Sequence, residues 1–243
     1  MFTLQNGPLT KTQVLIQGFA LYKQSFSQTW PYALLAAFFI AIFPMVLQWE
    51  NPSVIALLIT LYFVFWLTLS AALIIRLYSY CYQIPCNFLS SLKQALSKLI
   101  PLFLLGALYS IIVLGGTMML VVPGIIFSIS LMFAYTLLLV EKQNVLQTLI
   151  TSHRLVWGHW WHTCLIITFP LVLDILFSFA LFLFITTIGL GSLSVSSIFL
   201  FTLVVHAMLQ AIFIPLIVSV ALTLLHDLRK RYTLLIPSWP ITN

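Results

Sequence analysis

Long apolar runs and short amphipathic stretches succeed one another along this chain, and their order predicts the architecture. Six apolar runs stand out, at about 32–47, 53–75, 99–122, 124–140, 162–187 and 195–225. A hydrocarbon core of ~30 Å is crossed by a helix of about 20 apolar residues, so each run reads as a transmembrane helix. The first is short and borrows Trp30 and Pro31 from the segment before it. Between Leu99 and Val140 there is no charged residue. One straight helix of that length would extend about 60 Å, twice the hydrocarbon thickness, so this run must fold back. Pro123-Gly124 is the expected corner, and Gly115-Gly116 is a rival that would leave the first arm short.

Three stretches carry helical rather than continuous hydrophobicity. In 11–29, Val14, Leu15, Gly18, Phe19, Tyr22 and Phe26 recur at helical spacing. In 87–98, Phe88, Leu92, Ala95 and Leu96 share a face, Lys93 and Lys98 lie opposite, and Asn87 is an expected N-cap. In 143–157, Leu146, Leu149, Ile150, His153 and Trp157 share a face flanked by Lys142 and Arg154. Such amphipathic helices lie in the membrane interface, and Trp30-Pro31-Tyr32 is expected to turn the first of them into the bilayer. Each precedes a two-helix hairpin, giving units at 11–75, 87–140 and 143–225. The rhythm suggests an internal triplication, although any small hairpin-built membrane protein can show it. The expected fold class is all-α: one polytopic domain of six transmembrane helices in three hairpins, each preceded by an amphipathic interfacial helix.

Composition supports lipid as the solvent. Hydrophobic residues make up 62% of the 243-residue chain and charged residues 6%, against roughly a quarter charged in soluble domains. The net charge of +6 does not form a nucleic-acid footprint, because the basic residues stand singly or in small groups at the ends of apolar runs. Their expected partners are anionic headgroups. All ten Lys and Arg fall at the N-terminus, in the 2–3 or 4–5 connection, or near the C-terminus, and the other three turns hold none. By the positive-inside rule both termini are expected in the cytoplasm. No signal peptide is expected, since the first twenty-odd residues lack a short apolar core with a small-residue cleavage pattern. Cys81, Cys86 and Cys164 form no CxxC, so reduced thiols and no zinc site are expected.

Few residues offer chemistry. Asp174 falls about 18 Å into the fifth run, near the midplane, where a carboxyl is by default a functional hypothesis. His206 and Gln210 on the sixth run lie at similar depth, and an Asp174–His206 pair with Gln210 one turn away would serve a proton-coupled relay or a polar substrate. The plainer reading is a neutral Asp174 locking two helices through His206, Gln210 or Ser178. At the cytosolic interface Glu141 is expected to pair with Arg154, and Asp227 with Arg154 or Arg76, while the run Asp227–Arg231, including Arg229, reads as a stop-transfer cluster or a contact for anionic lipid or a cytosolic partner. His153, His159 and His162 lie among Trp157, Trp160 and Trp161, which reads as an aromatic belt rather than a metal site. No metal or cofactor is expected. HExxH, GxSxG, a Walker loop and closely spaced carboxylate pairs do not occur.

The segment from Val121 to Trp161, with Pro123, Gly124, Glu141, Ser152, Leu155 and Gly158, resembles the YciC-like inner-membrane proteins. It is also similar to the membrane domain attached to some glycerophosphodiester phosphodiesterases. The ending Asp227-Leu228-Arg229 and the amphipathic start GFALYKQSFSQTWPYALL are similar to the same family, while Lys142-Gln143-Asn144 departs from its usual small or acidic residues. The resemblance implies a polytopic protein of the bacterial inner membrane from a family without an assigned activity, and no phosphodiesterase domain comes with it. The expected role is non-enzymatic: membrane or envelope organisation through contacts with lipid, a membrane protein or a second copy. A small-solute or ion transporter using Asp174 and His206 is the alternative, and a subunit of a lipid-modifying enzyme is a third reading.

Overall fold

The structure is a computed structural model that describes the backbone of residues 8–46, 51–141, 143–189 and 195–235. Among these residues every regular element is an α-helix: α1 (Lys11–Val46), α2 (Pro52–Cys81), α3 (Phe88–Ser97), α4 (Leu99–Met119), α5 (Val121–Leu131), α6 (Ala134–Val140), α7 (Val145–Val156), α8 (Trp160–Gly189) and α9 (Val195–Leu235). Five helical stretches are long and apolar enough to cross a membrane: Pro52–Cys81, Leu99–Met119, Val121–Val140, Trp160–Thr187 and Phe201–Tyr232. The architecture is that of an all-helical, multi-pass membrane protein.

Several boundaries differ from those the sequence suggests, each for a physical reason. The interfacial stretch 11–29 and the first apolar run do not part at Trp30-Pro31-Tyr32; they form the single 36-residue helix α1. Pro31 removes one backbone donor, a loss that membrane helices tolerate when neighbours support them, and α1 has such support in α9. The two run antiparallel. Leu9 meets Asp227, the Val14 carbonyl meets Thr223, and Ala33 and Ala37 cluster with Ala207 and Ala211. Gly18 permits a close approach, because a Cβ there would come within 2.9 Å of the Val220 Cα. Small residues at a helix crossing are how apolar helices gain contact in lipid.

Arg76 does not end α2. The helix continues to Cys81 and stops where Gln83 adopts φ 56°, with Ile84 N–H donating to the Ser79 carbonyl at 2.9 Å. This is a helix-terminating motif set by backbone geometry and followed by Pro85. The corner of the 99–140 run falls at Leu120 instead of Pro123-Gly124. Pro123 occupies the first turn of α5, where a missing N–H costs nothing. Gly116 and Gly124 instead supply closeness: a Cβ on Gly124 would lie 3.0 Å from the Thr117 Cα. The second arm of this hairpin is interrupted at Met132-Phe133, beside which the Ser152 hydroxyl of α7 donates to the Ser130 carbonyl at 2.8 Å. A side chain inserted into the ladder is a known cause of such breaks. In the third pair of runs, α8 starts at Trp160 and α9 continues past Asp227 to Leu235. The 1–2 turn at 47–50 and residues 190–194 of the last linker lie outside the described residues.

The short helices α3 and α7 form where expected, and Ser90 Oγ accepts the Asn87 N–H at 2.8 Å at the start of α3. α3 turns Ser91 and Ala95 inward and leaves Leu89 and Leu96 exposed, while α7 buries Thr148, Leu149, Ser152, Leu155 and Val156 and exposes Leu146, Ile150 and Trp157. Each short helix thus packs one face on the bundle and keeps large apolar side chains on the outer one.

Burial is unevenly spread. Leu21, Tyr32, Leu77, Leu102, Leu138 and Leu149 form one packed cluster, and Val14, Phe133, Val156, Ile166, Leu224 and Leu228 form a second. Both lie at the end of the molecule that carries Arg76, Lys98, Glu141 and Asp227. Toward the other end, Leu57, Leu61, Ile111, Leu114, Phe179 and Phe184 are exposed.

Candidate functional site

Two polar constellations arise from this frame. The first lies at the charged end. Asp227, on α9, has no solvent exposure, and its oxygens accept the Leu9 N–H at 2.7 Å and Arg231 Nε at 2.8 Å, with His162 Nε2 at 3.1 Å. Arg231 also donates to the Leu9 carbonyl. A buried carboxylate holds its charge only when paired and hydrogen-bonded in this way, and the network joins residue 9, α8 and α9. Glu141, at the end of α6, pairs with Arg229 and accepts from Gln143 Nε2 at 2.7 Å. Lys98 Nζ donates to the carbonyls of Leu138 and Leu139 at 2.9 and 2.7 Å, the favoured position for a cation at a helix C-terminus. The Tyr82 hydroxyl lies 3.3 Å from His226 Nδ1. Burial pushes the Tyr82 phenol above its ordinary value, as does nearby Tyr78, while the Arg229 charge pulls it down.

The expected ion pairs are therefore re-partnered. Glu141 takes Arg229 rather than Arg154, and Asp227 takes Arg231 and His162 rather than Arg154 or Arg76. Arg154 is exposed on α7. The Asp227–Arg231 pair sits at i,i+4 spacing, a signal the sequence does carry. His162 reaches Asp227 from 65 positions away, and no local pattern marks it. His153 lies against Trp157 with ring centroids 4.9 Å apart and the planes tilted by 40°, and Trp160 meets Trp161 edge-on at 4.8 Å.

The second constellation lies between α8 and α9, about 21 Å along α8 at 1.5 Å per residue. Gln210 Nε2 donates to both oxygens of Asp174, at 3.1 and 3.2 Å. His206 and Ser178 line the same open cleft of about 470 Å³, walled by Ile175, Phe179 and Phe182. No hydrogen bond joins Asp174 to His206, so the expected pair is replaced by Asp174–Gln210 with the imidazole alongside. The structure brings all three residues together. An amide donating to both carboxyl oxygens holds two helices in register, and a proton relay would need a donor–acceptor chain continuing past it.

Among the described residues no group of three His, Cys, Asp or Glu side chains could hold a metal ion. Comparison with protein-family models, with curated proteins and with solved structures found no match.

Proposed function

We propose that this protein is a non-catalytic component of a bacterial inner membrane, of the YciC-like kind, that organises the membrane or envelope through contacts with lipid and with other membrane proteins or a second copy of itself. In this reading the C-terminal part of α1 is a sixth span, the spans form three hairpins, and both termini are cytoplasmic. One observation carries it: polar and charged groups are packed and paired at one end, while the apolar ends of the helices and the outward faces of α3 and α7 offer large side chains to lipid. That division suits a body anchored at one membrane face that contacts lipid over most of its remaining surface.

A second reading, transport of a proton or small polar solute, is favoured by the cleft around Asp174, His206 and Gln210. A single complementation experiment separates them. In the native host, loss of the protein should raise envelope permeability to a hydrophobic dye, and Asp174→Asn should restore the barrier as well as wild type does. Failure of Asp174→Asn to complement, together with pH-driven flux in proteoliposomes that needs Asp174, would replace the first reading with the second.

A further inference from the structure

The described acidic residues spend themselves on cations other than Arg76: Glu141 on Arg229, Asp227 on Arg231 and His162, while Asp174 is held by Gln210. Arg76 lines a separate pocket of about 390 Å³, bounded by Gln28 of α1, by Ser79 and Tyr80 at the end of α2, and by the 83–87 connection. A guanidinium near the end of a membrane helix, with no carboxylate partner among the described residues, extends toward the headgroup layer. There it is matched in geometry to a phosphate.

The surroundings of Arg76 suit the same ligand. Gln28, Gln83 and Asn87 bring neutral amide donors to the pocket, and Tyr80 brings a hydroxyl. Asn87 is also the N-cap of α3, so the positive end of that helix dipole borders the pocket, a favourable setting for an anion. The negative end of α2 is masked, because Ile84 N–H and Gln83 N–H donate to the Ser79 and Tyr80 carbonyls at 2.9 and 3.4 Å. Gln83 itself stands at φ 56°, the one non-glycine residue with positive φ among those described. Glycine would be the easier residue at such a position. From this position in the turn that ends α2, Gln83 lines the pocket. Ile84 and Pro85, both exposed, supply an apolar edge.

We propose that the Arg76 pocket binds a phosphodiester, namely the headgroup phosphate of an anionic phospholipid at the cytosolic interface. Arg76 provides the charge, and the amides of Gln28, Gln83 and Asn87 provide orientation. This rests on the reading of the protein as one that works through lipid contacts, and it names one such contact.

The test titrates delipidated protein in mild detergent with phosphatidylglycerol or phosphatidylcholine of equal chain length, counting bound lipid by native mass spectrometry. Wild type should take up one phosphatidylglycerol at least about tenfold more tightly than phosphatidylcholine, the scale of a charge-assisted contact. Arg76→Gln should abolish that preference, and Arg154→Gln should keep it. Gln83→Gly separates binding from folding: it should raise the melting temperature by relieving strain yet weaken phosphatidylglycerol binding several-fold. Equal binding of both lipids by wild type, or equal losses in Arg76→Gln and Arg154→Gln, would overturn the site. Displacement of the lipid by millimolar inorganic phosphate would overturn the lipid assignment and leave a soluble-phosphate site. None of these results bears on dye permeability, so the site and the broader reading fail separately.

Discussion

At the charged end Asp227 is enclosed by Leu9, His162 and Arg231 and has no exposure, whereas in the α8–α9 cleft Asp174 is half-buried with Gln210 as its donor. The difference between the two aspartates follows the difference between the regions that hold them. At the charged end, helices of unequal length and the short helices α3 and α7 converge, so enough backbone and side-chain donors are at hand to satisfy a carboxylate fully. In the apolar region α8 meets mainly α9, and a carboxyl on α8 finds only what that facing helix supplies. Full satisfaction makes a latch, and partial satisfaction makes a clasp with a cleft beside it.

The largest effect is expected at the latch. Asp227→Ala leaves the Leu9 N–H without its acceptor and Arg231 and His162 without their counter-charge, and it should destabilise the protein by about 3–5 kcal/mol, read as loss of resistance to thermal unfolding in detergent. A change under about 1 kcal/mol would erase the contrast between the regions. Next comes the α1–α9 seam: Gly18→Val forces side-chain atoms against Val220 and should cost about 1–3 kcal/mol, measured in the same way. Gln210→Ala should cost less, under about 1 kcal/mol, the usual scale for one interhelical polar contact in a membrane protein. A loss as large as that of Asp227→Ala would make the clasp a second latch. Smallest is Trp157→Ala, at a side chain 64% exposed: thermal stability should stay unchanged, while partitioning of the isolated α7 peptide onto vesicles falls.

The apolar runs are legible in the sequence because lipid imposes one rule on them, that a crossing segment be long, uncharged and helical. Positions where the expectation shifts are those decided by contacts distant in sequence. α1 passes through Pro31 because α9 supports it along its length, which no window around Trp30-Pro31-Tyr32 encodes. The corner at Leu120 depends on Gly116 and Gly124 nestling against the facing helix, so the glycines matter as neighbours rather than as the turn itself. The same holds for the sites. Depth along a helix suffices to group Asp174, His206 and Gln210, but which of the two partners bonds the carboxyl depends on the rotation of α9 about its axis. Asp227 with Arg231 is readable from i,i+4 spacing; Asp227 with His162, and Glu141 with Arg229, are products of the assembled bundle.

The central claim is that the packed, charged region sits at one membrane interface and the region of exposed apolar side chains lies in lipid. It is tested most directly by spin labels placed singly at Leu89, Leu146, Leu114 and Phe179, all of them exposed, in protein reconstituted into liposomes. Collision with dissolved oxygen and with a water-soluble nickel chelate then reports depth. Labels at Leu114 and Phe179 should be reached by oxygen and shielded from the chelate, and those at Leu89 and Leu146 should report the headgroup level. Free access of the chelate to Leu114 and Phe179 would contradict the account.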